Sequence, residues 1–359
     1  MAVVWLAGPA PGQEPPSRPA VTSATRSYWP PENPRELLAV DEPMRRFFAA
    51  RVAKNFSDGE TLRQIVAVIL DPEGLGFTYE AVGTYDARET FRRRRGNCQG
   101  FSFLVVAVAR ELGLKVQFQD LEAHQRWNRF DRFLAAIRHT NVYMTSYYGN
   151  RYVVDLRPDL GQASFVSKRY IVNDNRAFAH FYSTAGFFRL VEGDQAGALR
   201  LMQLGTEVDP RSAIAWSNLG NLHLQRGEPA LARSCFEKAL RLDGRMEEAL
   251  TGLVRVLRLG GPAEQELADQ HERRVQAYRE RNPYYAYQLG SQARARGDMA
   301  GAEQRLRQAI RLKGDEPLFL EELVALLRQA GREGEARVVE EKLARLRKRF
   351  AQVEPHVVP

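Results

Sequence analysis

A period of 34 residues runs through the second half of this 359-residue chain and restricts its fold more than any other feature. The residue pairs that keep this distance are Gly186 and Gly220, Gly193 and Gly227, Ala198 and Ala232, Met202 and Phe236, Gly297 and Gly331, and Ala302 and Ala336. Small residues at fixed positions allow paired helices to approach closely, and large apolar residues fill the space between repeats. The register slips by two residues in a degenerate unit over about 247–282. The period predicts an array of helical hairpins over residues 173–349.

This pattern resembles the tetratricopeptide repeat family, whose unit is a 34-residue helix–turn–helix. The best unit runs from Ala213 to Met246, and it departs from the family at His223 and Gly244. The family's packing positions are occupied by Trp216, Leu219, Gly220, Ala232, Phe236 and Ala239. The resemblance implies an all-α, right-handed solenoid that folds independently of the preceding residues and binds a protein or peptide on its concave surface.

The resemblance also indicates which side chains line that concave groove. Carried over by register, they are His180, Ser183, Phe187, Ser217, Asn221, Gln225, Tyr284, Tyr287, Arg294, Glu321 and Arg328. The set lacks the Lys and Asn cluster by which some relatives clamp the terminal carboxylates of a peptide. Its aromatic and hydrogen-bonding groups suit an extended peptide of mixed or mildly acidic character. We therefore expect a protein partner or substrate, which the groove presents to the site described below.

Composition excludes several other classes of function. Hydrophobic residues make up 44% of the chain, but no stretch approaches the ~20 apolar residues that span a bilayer. The net charge of +8 is spread among interleaved acidic residues, which is typical of solvated helix faces rather than of a nucleic-acid site. Cys98 and Cys235 fall in different predicted domains, so no disulfide is expected. No Cys and His cluster has metal-ligand spacing, and we expect neither a metal nor an organic cofactor.

The first 36 residues differ from the rest in composition. Ala2 to Gly8 resembles the end of the apolar core of an export signal, and eight prolines lie between Pro9 and Pro34. Such a segment cannot hold a helix or a central strand, so residues 1–36 are predicted to be an extended tether. A tether behind a signal favours the periplasm or cell envelope of a bacterium, with the cytoplasm as the alternative. Residues 350–359 form a short tail.

Residues 37–172 have the pattern of an α+β domain. Helices are predicted over 37–54 and 61–70, and a third follows Cys98. Its apolar stripe comprises Phe101, Leu104, Val105, Val108 and Leu112. Strands are predicted over 115–119, 139–145 and 152–155, and the stretch 121–138 between the first two has a helix-like pattern.

Cys98 stands at the predicted start of that third helix. A thiol is a useful nucleophile only as a thiolate, and the free N–H groups of a helix start favour an anion. His139 opens one strand and Asp155 closes the next, so both side chains can reach Cys98 as a base and as the acid that orients it. The rival base, His124, has no well-placed acid. The alternative interpretation makes Cys98 a small buried apolar residue.

The residues around Cys98 resemble the core of the transglutaminase-like superfamily. The segment from Thr84 to Gly100 contains Arg95-Gly-Asn-Cys98, His139 follows after 41 residues, and Asp155 stands shortly before Pro158. The resemblance implies a papain-like α+β core with Cys98, His139 and Asp155 as catalytic triad. It implies acyl transfer through a thioester, either hydrolysis of a peptide or isopeptide, as by a cysteine protease, or transamidation to an amine. Thr140 and Asn141 depart from the small residue and Trp that often follow the His, and the second oxyanion donor is unassigned.

The sequence also supports other interpretations of the chain and of its residues. The chain could be a non-enzymatic repeat scaffold with a vestigial transglutaminase-like domain. The run Arg92 to Arg95 could steer an acidic substrate, although such a run is more often a solvated face. Cys235, next to Phe236, is interpreted as structural. Substrate and oligomeric state do not follow from the sequence.

Overall fold

Five segments of the chain, 2–6, 28–53, 57–130, 133–156 and 166–351, are described by the computed structural model. For residues 2–6, 122–130, 133–138, 166–168 and 348–351 the structure describes the backbone alone. Pro158, Lys54, most of the predicted tether and the end of the tail lie outside the described residues. The chain divides into two compact units, of which the first ends at Val256 and the second begins at Leu257.

Side-chain caps define the helices of the N-terminal half. These helices are α1 (Glu42–Ala49), α2 (Asp58–Leu70), α3 (Ala87–Arg93) and α4 (Cys98–Glu111), with a 3-10 turn over Pro34–Leu38. Their N-caps are Asp41, Ser57, Asp86 and Asn97, each of which accepts a backbone N–H of the first turn. The single helix expected over 37–54 is interrupted before α1, because Asp41 caps a new helix there.

An antiparallel sheet follows helix α4. Its strands are β1 (Ala2–Leu6), β4 (Val116–Phe130), β5 (Phe133–Thr145), β6 (Arg151–Val154) and β7 (Val166–Val172). They lie in the order β1-β5-β4-β7, and β6 also pairs with β5. Two short parallel strands, β2 (Thr78–Tyr79) and β3 (Arg95–Gly96), form a separate pair directly before α4.

The helix-like pattern assigned to 121–138 is a wrong prediction. The residues described there belong to β4 and β5, which pair almost from end to end, with an irregularity between Leu121 and Arg126. Strand β4 also pairs with β7 on its other edge. The backbone groups of β4 are satisfied on both edges, and such pairing overrides the local helical preference. The strands predicted around 115–119, 139–145 and 152–155 lie within β4, β5 and β6 or next to their ends.

Helix α4 is the centre of the N-terminal core. Every residue from Cys98 to Ala109 is buried, so the helix is covered on all its faces. The ring centroid of Phe103 lies 5.0 Å from that of Phe118 on β4 and 5.1 Å from that of Phe181. Ser102 Oγ donates to the carbonyl of Thr140 at 3.3 Å, which holds α4 against β5.

The remainder of the described chain is helical. The helices are α5 (Asp174–Val191), α6 (Gln195–Val208), α7 (Ala213–Gln225), α8 (Pro229–Leu242), α9 (Glu247–Leu257), α10 (Pro262–Glu280), α11 (Pro283–Ala295), α12 (Met299–Leu312), α13 (Pro317–Gln329) and α14 (Glu333–Ala351). Gly220 on α7 shows why the period demands small residues, since a Cβ there would lie 2.9 Å from the Phe236 ring on α8. Within the described part, no helix combines the length and the apolar character needed to cross a membrane.

The first repeat shares its core with the preceding domain. Phe178, Phe181 and Tyr182 of α5 belong to the same buried cluster as Phe103 and the apolar residues of α2. The apolar face of α5 therefore covers α4, and the independent folding of the repeats stays a prediction. The position of the domain boundary near residue 172 stays a prediction.

Residues 28–36 of the predicted tether are held against this core. The hydroxyl of Tyr28 donates to Asp86 at 3.0 Å, and that of Tyr182 donates to the carbonyl of Pro31 at 2.6 Å. Arg200 pairs with Glu32 at 2.9 Å. These contacts tie the segment both to α3 and to the first repeat, so this end of the predicted tether is part of the folded domain.

Because α4 and α5 share a core, a substitution that destabilises α5 should also make Cys98 easier to alkylate. Phe181→Ala removes a fully buried ring, a change that costs about 3–5 kcal/mol. In a urea series, alkylation of Cys98 should therefore begin at lower urea than in the unchanged protein. Phe319→Ala deletes an equally buried ring in the second unit and is the matched control. Equal effects of the two variants on Cys98 would contradict a core shared between α4 and α5.

Candidate functional site

Asn97 fixes the start of helix α4 and with it the position of Cys98. Its Oδ1 accepts the backbone N–H groups of Gln99 and Gly100, both at 3.0 Å. Its Nδ2 donates to Thr84 Oγ1 at 2.6 Å. Cys98 thus occupies the first turn of the helix, where the helix dipole favours a negative charge. The described residues supply no acceptor for the backbone N–H of Cys98, which makes this group a candidate oxyanion donor.

Strands β5 and β6 bring His139 and Asp155 together. Val142 pairs with Val154, so Asp155, directly after β6, lies beside the part of β5 that carries His139. His139 Nε2 and Asp155 Oδ1 are 2.6 Å apart, and both side chains are buried. Asn141 Nδ2 donates to the other carboxylate oxygen of Asp155 at 3.1 Å. Each oxygen of Asp155 therefore has its own partner on β5.

The ring of His139 also interacts with Cys98. Because Nε2 is occupied by Asp155, the atom available to the thiol is Nδ1, which is buried and has no hydrogen-bond partner among the described residues. Burial opposes ionisation of the thiol, but positive charge outweighs burial, first that of the amino terminus of the chain and then that of His139. The pKa of Cys98 is thereby lowered to about 6.

The same contacts change the titration of the histidine. Burial opposes the charged ring, whereas the charges of Asp155 and Cys98 and hydrogen bonds to both groups favour it. The pKa of His139 is raised to about 10. Near neutral pH the two groups therefore form a thiolate–imidazolium pair, and their titrations belong to the pair rather than to either residue. Of the three residues that the sequence selects, His139 and Asp155 are in direct contact, and Cys98 lies near enough to the ring for the two titrations to be coupled. Their role as a catalytic triad stays a prediction.

The first two repeats form part of the surroundings of the thiol. Cys98 belongs to an apolar cluster with Val82, with Phe187 of α5 and with Leu222 of α7. Only 4% of Cys98 is exposed. The repeat array therefore contributes directly to the environment of this site.

A second His and Asp pair lies next to the triad. His180 Nδ1 is 3.3 Å from Asp120 Oδ2, and Thr140 Oγ1 donates to Asp120 Oδ1 at 2.9 Å. Burial favours the neutral form of Asp120, but the charge of His180 and hydrogen bonds from His180 and Thr140 outweigh it, so the pKa of Asp120 is lowered. The pair ties α5 to β4 beside His139. Sequence reasoning missed Asp120, because its partner lies 60 residues away on a repeat helix.

Five of the six groove positions predicted on the first two repeats are buried, and the sixth, Gln225, is half-buried. His180, Ser183 and Phe187 on α5 and Ser217 and Asn221 on α7 are at most 1% exposed. Ser183 lies at the packing surface between two helices, because a Cβ at Gly205 of α6 would stand 3.2 Å from its hydroxyl oxygen. These side chains therefore pack inside the first unit.

The groove positions of the second unit take part in interactions within that unit. The Tyr284 hydroxyl donates to Glu316, and the Tyr287 ring stacks on Phe319 with centroids 5.3 Å apart. Arg294 pairs with Glu322 at 3.1 Å. Arg328 pairs with Glu340 at 2.8 Å. A partner that binds these side chains must replace or extend these contacts.

The arginine run before Cys98 is engaged in ion pairs. Arg93 pairs with Glu89 at 2.6 Å and Arg92 with Asp41 at 3.0 Å. Arg95 lies 3.5 Å from Glu80. These pairs favour a solvated structural face over a role in steering a substrate.

The other two sequence candidates are Cys235 and His124. Cys235 is buried on α8, and burial raises its pKa to about 11. His124 lies on β4, where only the backbone is described. Among the residues whose side chains are described, no group of three His, Cys, Asp or Glu side chains could hold a metal ion.

Comparison with known proteins identifies the repeats. A family model of the tetratricopeptide repeat matches residues 213–251 and confirms this repeat. Similar solved structures include MamA, which is 21% identical, with a TM-score of 0.28 over 47% of this chain and 97% of MamA. YrrB, "a TPR protein with an unusual peptide-binding site", is 18% identical, with a TM-score of 0.27 over 47% and 86% of the two chains. The pilF protein of Pseudomonas aeruginosa is 24% identical, with a TM-score of 0.28 over 46% and 75%. No curated protein matches the chain.

The pKa values of the two cysteines predict a clear difference in their reactivity. In a Cys235→Ser background, alkylation of Cys98 by iodoacetamide should reach half its plateau rate near pH 6. Because His139→Ala removes one of the positive charges that oppose burial, it should raise this midpoint toward the ordinary thiol pKa of about 8.5. Cys235, measured in a Cys98→Ser background, is the matched thiol and should react only in strong alkali. A Cys98 midpoint above pH 8 in the unchanged protein would contradict the ion pair.

Proposed function

We propose that this chain is a cysteine-dependent acyl-transfer enzyme with a transglutaminase-like, papain-like catalytic core to which tetratricopeptide repeats bring a protein or peptide partner. One observation carries the proposal. Cys98, at the first turn of α4, interacts with His139, which is bound in turn by Asp155 at 2.6 Å. A nucleophile, a base and an orienting acid in this order are the minimal parts of covalent acyl transfer.

The reaction proceeds in two steps. The Cys98 thiolate attacks the acyl carbon of an amide, a C–S bond forms, and the tetrahedral oxyanion is stabilised by the N–H of Cys98. The C–N bond then breaks as the His139 imidazolium gives its proton to the leaving amine. In the second step, His139 accepts a proton from water or an amine, which attacks the thioester and releases the thiolate. Water as acceptor gives hydrolysis, and an amine gives transamidation.

Asn141 is proposed as a positioning residue. Its amide donates to the Asp155 oxygen that His139 does not use. This contact restricts rotation of the carboxylate and so keeps the other oxygen directed at the imidazole. Asn141, one of the two residues that depart from the usual sequence of the transglutaminase-like family, thus supports the acid of the proposed triad.

A non-enzymatic scaffold is the second candidate function. The matches reported above concern the repeats and none describes a transglutaminase-like domain, so the comparisons support the scaffold more directly than they support catalysis. The small exposed fraction of Cys98 also favours it. In this function the repeats bind a protein partner, and the triad is a structural remnant. For either function we propose the periplasm or cell envelope as the location.

Substitution of the triad separates the two functions. With a small activated acyl ester as substrate, Cys98→Ala should abolish turnover, a loss of about a thousandfold or more. His139→Ala should come close to this loss, and Asp155→Asn should cost less, because it alters only the orientation of the base. Cys235→Ala and His223→Ala are the matched controls and should retain activity. If no thioester on Cys98 is detected by mass spectrometry with any ester or amide tested, the scaffold function stands instead.

The pH dependence of turnover gives a further prediction. Activity requires the thiolate, which is lost as the pH falls through about 6, and the imidazolium, which is lost as the pH rises through about 10. The rate should therefore follow a bell-shaped profile with limbs near these two values. A profile that keeps rising beyond pH 10 would show that His139 does not act as the acid.

A further inference from the structure

One edge of strand β5 is shared by two short strands. Strand β4 pairs with β5 along one edge, so β1 and β6 must both lie along the other. Strand β1 pairs with residues 134–138 of β5 and β6 with residues 142–145. The three residues between these stretches are His139, Thr140 and Asn141. The triad histidine therefore lies at the gap in the sheet edge where the two strands meet.

The segment β1 also lies against the repeats. It packs on α5 and α7, the first helices of the first two repeats. These helices carry the predicted groove residues, including Phe187, Ser217 and Asn221, and all three are buried. A cleft therefore exists between the edge of β5 and these helices, and in this structure the segment Ala2–Leu6 occupies it. We call it the β1 cleft.

The direction of β1 determines which end of a bound strand meets the triad. Ala2 pairs with Arg138 and Leu6 with Leu134, so the amino end of the strand points to His139 and its carboxyl end points away. A peptide bound in the same direction places its amino end beside the thiol. In acyl transfer that end belongs to the amine that leaves on hydrolysis or attacks in transamidation.

We propose that the β1 cleft binds the amine-side half of an extended peptide substrate by strand addition to β5, and that Ala2–Leu6 occupies the cleft as an internal competitor. Recognition rests on main-chain hydrogen bonds to β5, with the repeat helices as the opposite wall. The preferred peptide resembles Ala-Val-Val-Trp-Leu, rich in β-branched and aromatic residues that favour extended backbone. This substrate class rests on the proposed function, whereas the binding mode does not.

Displacement of β1 tests the binding mode without any catalysis. Val4→Pro removes a backbone N–H and disfavours strand pairing, whereas Val4→Thr keeps a β-branched side chain and is the matched control. Alkylation of Cys98 in a Cys235→Ser background is the readout. Val4→Pro should raise the rate about 3- to 10-fold, equivalent to ~0.7–1.4 kcal/mol of lost pairing, and Val4→Thr should leave it unchanged. A variant with residues 2–6 replaced by Gly and Ser must show the same gain, which guards against misfolding of the proline variant.

Addition of the free peptide completes the test. The synthetic peptide Ala-Val-Val-Trp-Leu amide should restore the slow alkylation of the Val4→Pro protein, and a version N-methylated at alternate amides should not. With an acyl ester as donor, the peptide with a free amino end should act as acceptor, and its N-acetylated form should not. Protection of Cys98 with neither hydrolysis of the ester nor acyl transfer to the peptide would support the cleft and remove the proposed function. Turnover of a small ester with no effect of Val4→Pro or peptide on alkylation would overturn the cleft and leave the function intact.

Discussion

The burial of helix α4 on all its faces is the constraint on which the rest of the first unit depends. A helix that is buried from Cys98 to Ala109 is covered all round, in part by the preceding helices and the sheet. The remaining cover comes from Phe178 and Phe181 on the first repeat helix. Because the same helix carries the thiol at its first turn, the packing that buries α4 also places Cys98 against the repeats. Helix α4 is thus both the centre of this core and the element that carries the candidate nucleophile.

The two cysteines show how position, rather than residue type, sets reactivity. Both are buried, and burial alone raises the pKa of Cys235 to about 11. At Cys98 the positive charges of the amino terminus and of His139 outweigh burial, and the pKa of this thiol falls to about 6. The thiolate in turn helps keep the imidazole protonated, so each charge offsets the desolvation cost of the other in an apolar cluster. Asp155 and Asn141 extend this arrangement by fixing the ring from the opposite side.

The repeats have different surroundings in the two units. In the first unit the groove side chains are buried beside the sheet, and β1 lies against the helices that carry them. In the second unit the corresponding tyrosines and arginines interact with neighbouring residues, as in the pair of Arg294 with Glu322. The expected recruitment of a protein by the repeat groove is therefore a separate hypothesis from strand addition next to His139.

Local pattern determined the repeats, the caps and the choice of triad residues. The 34-residue period marks the helical hairpins, and the helix start at Cys98 with the spacing to His139 and Asp155 selects the three residues that the fold brings together. Tertiary structure alone decided that residues 121–130 form a strand, since β4 is held by pairing with distant β5 and β7. It also decided that Phe181 covers α4 and that His180 meets Asp120. A sequence pattern shows which face of an element is apolar, but the partner that covers this face, and the charge that a buried group meets, depend on contacts between residues far apart in the chain.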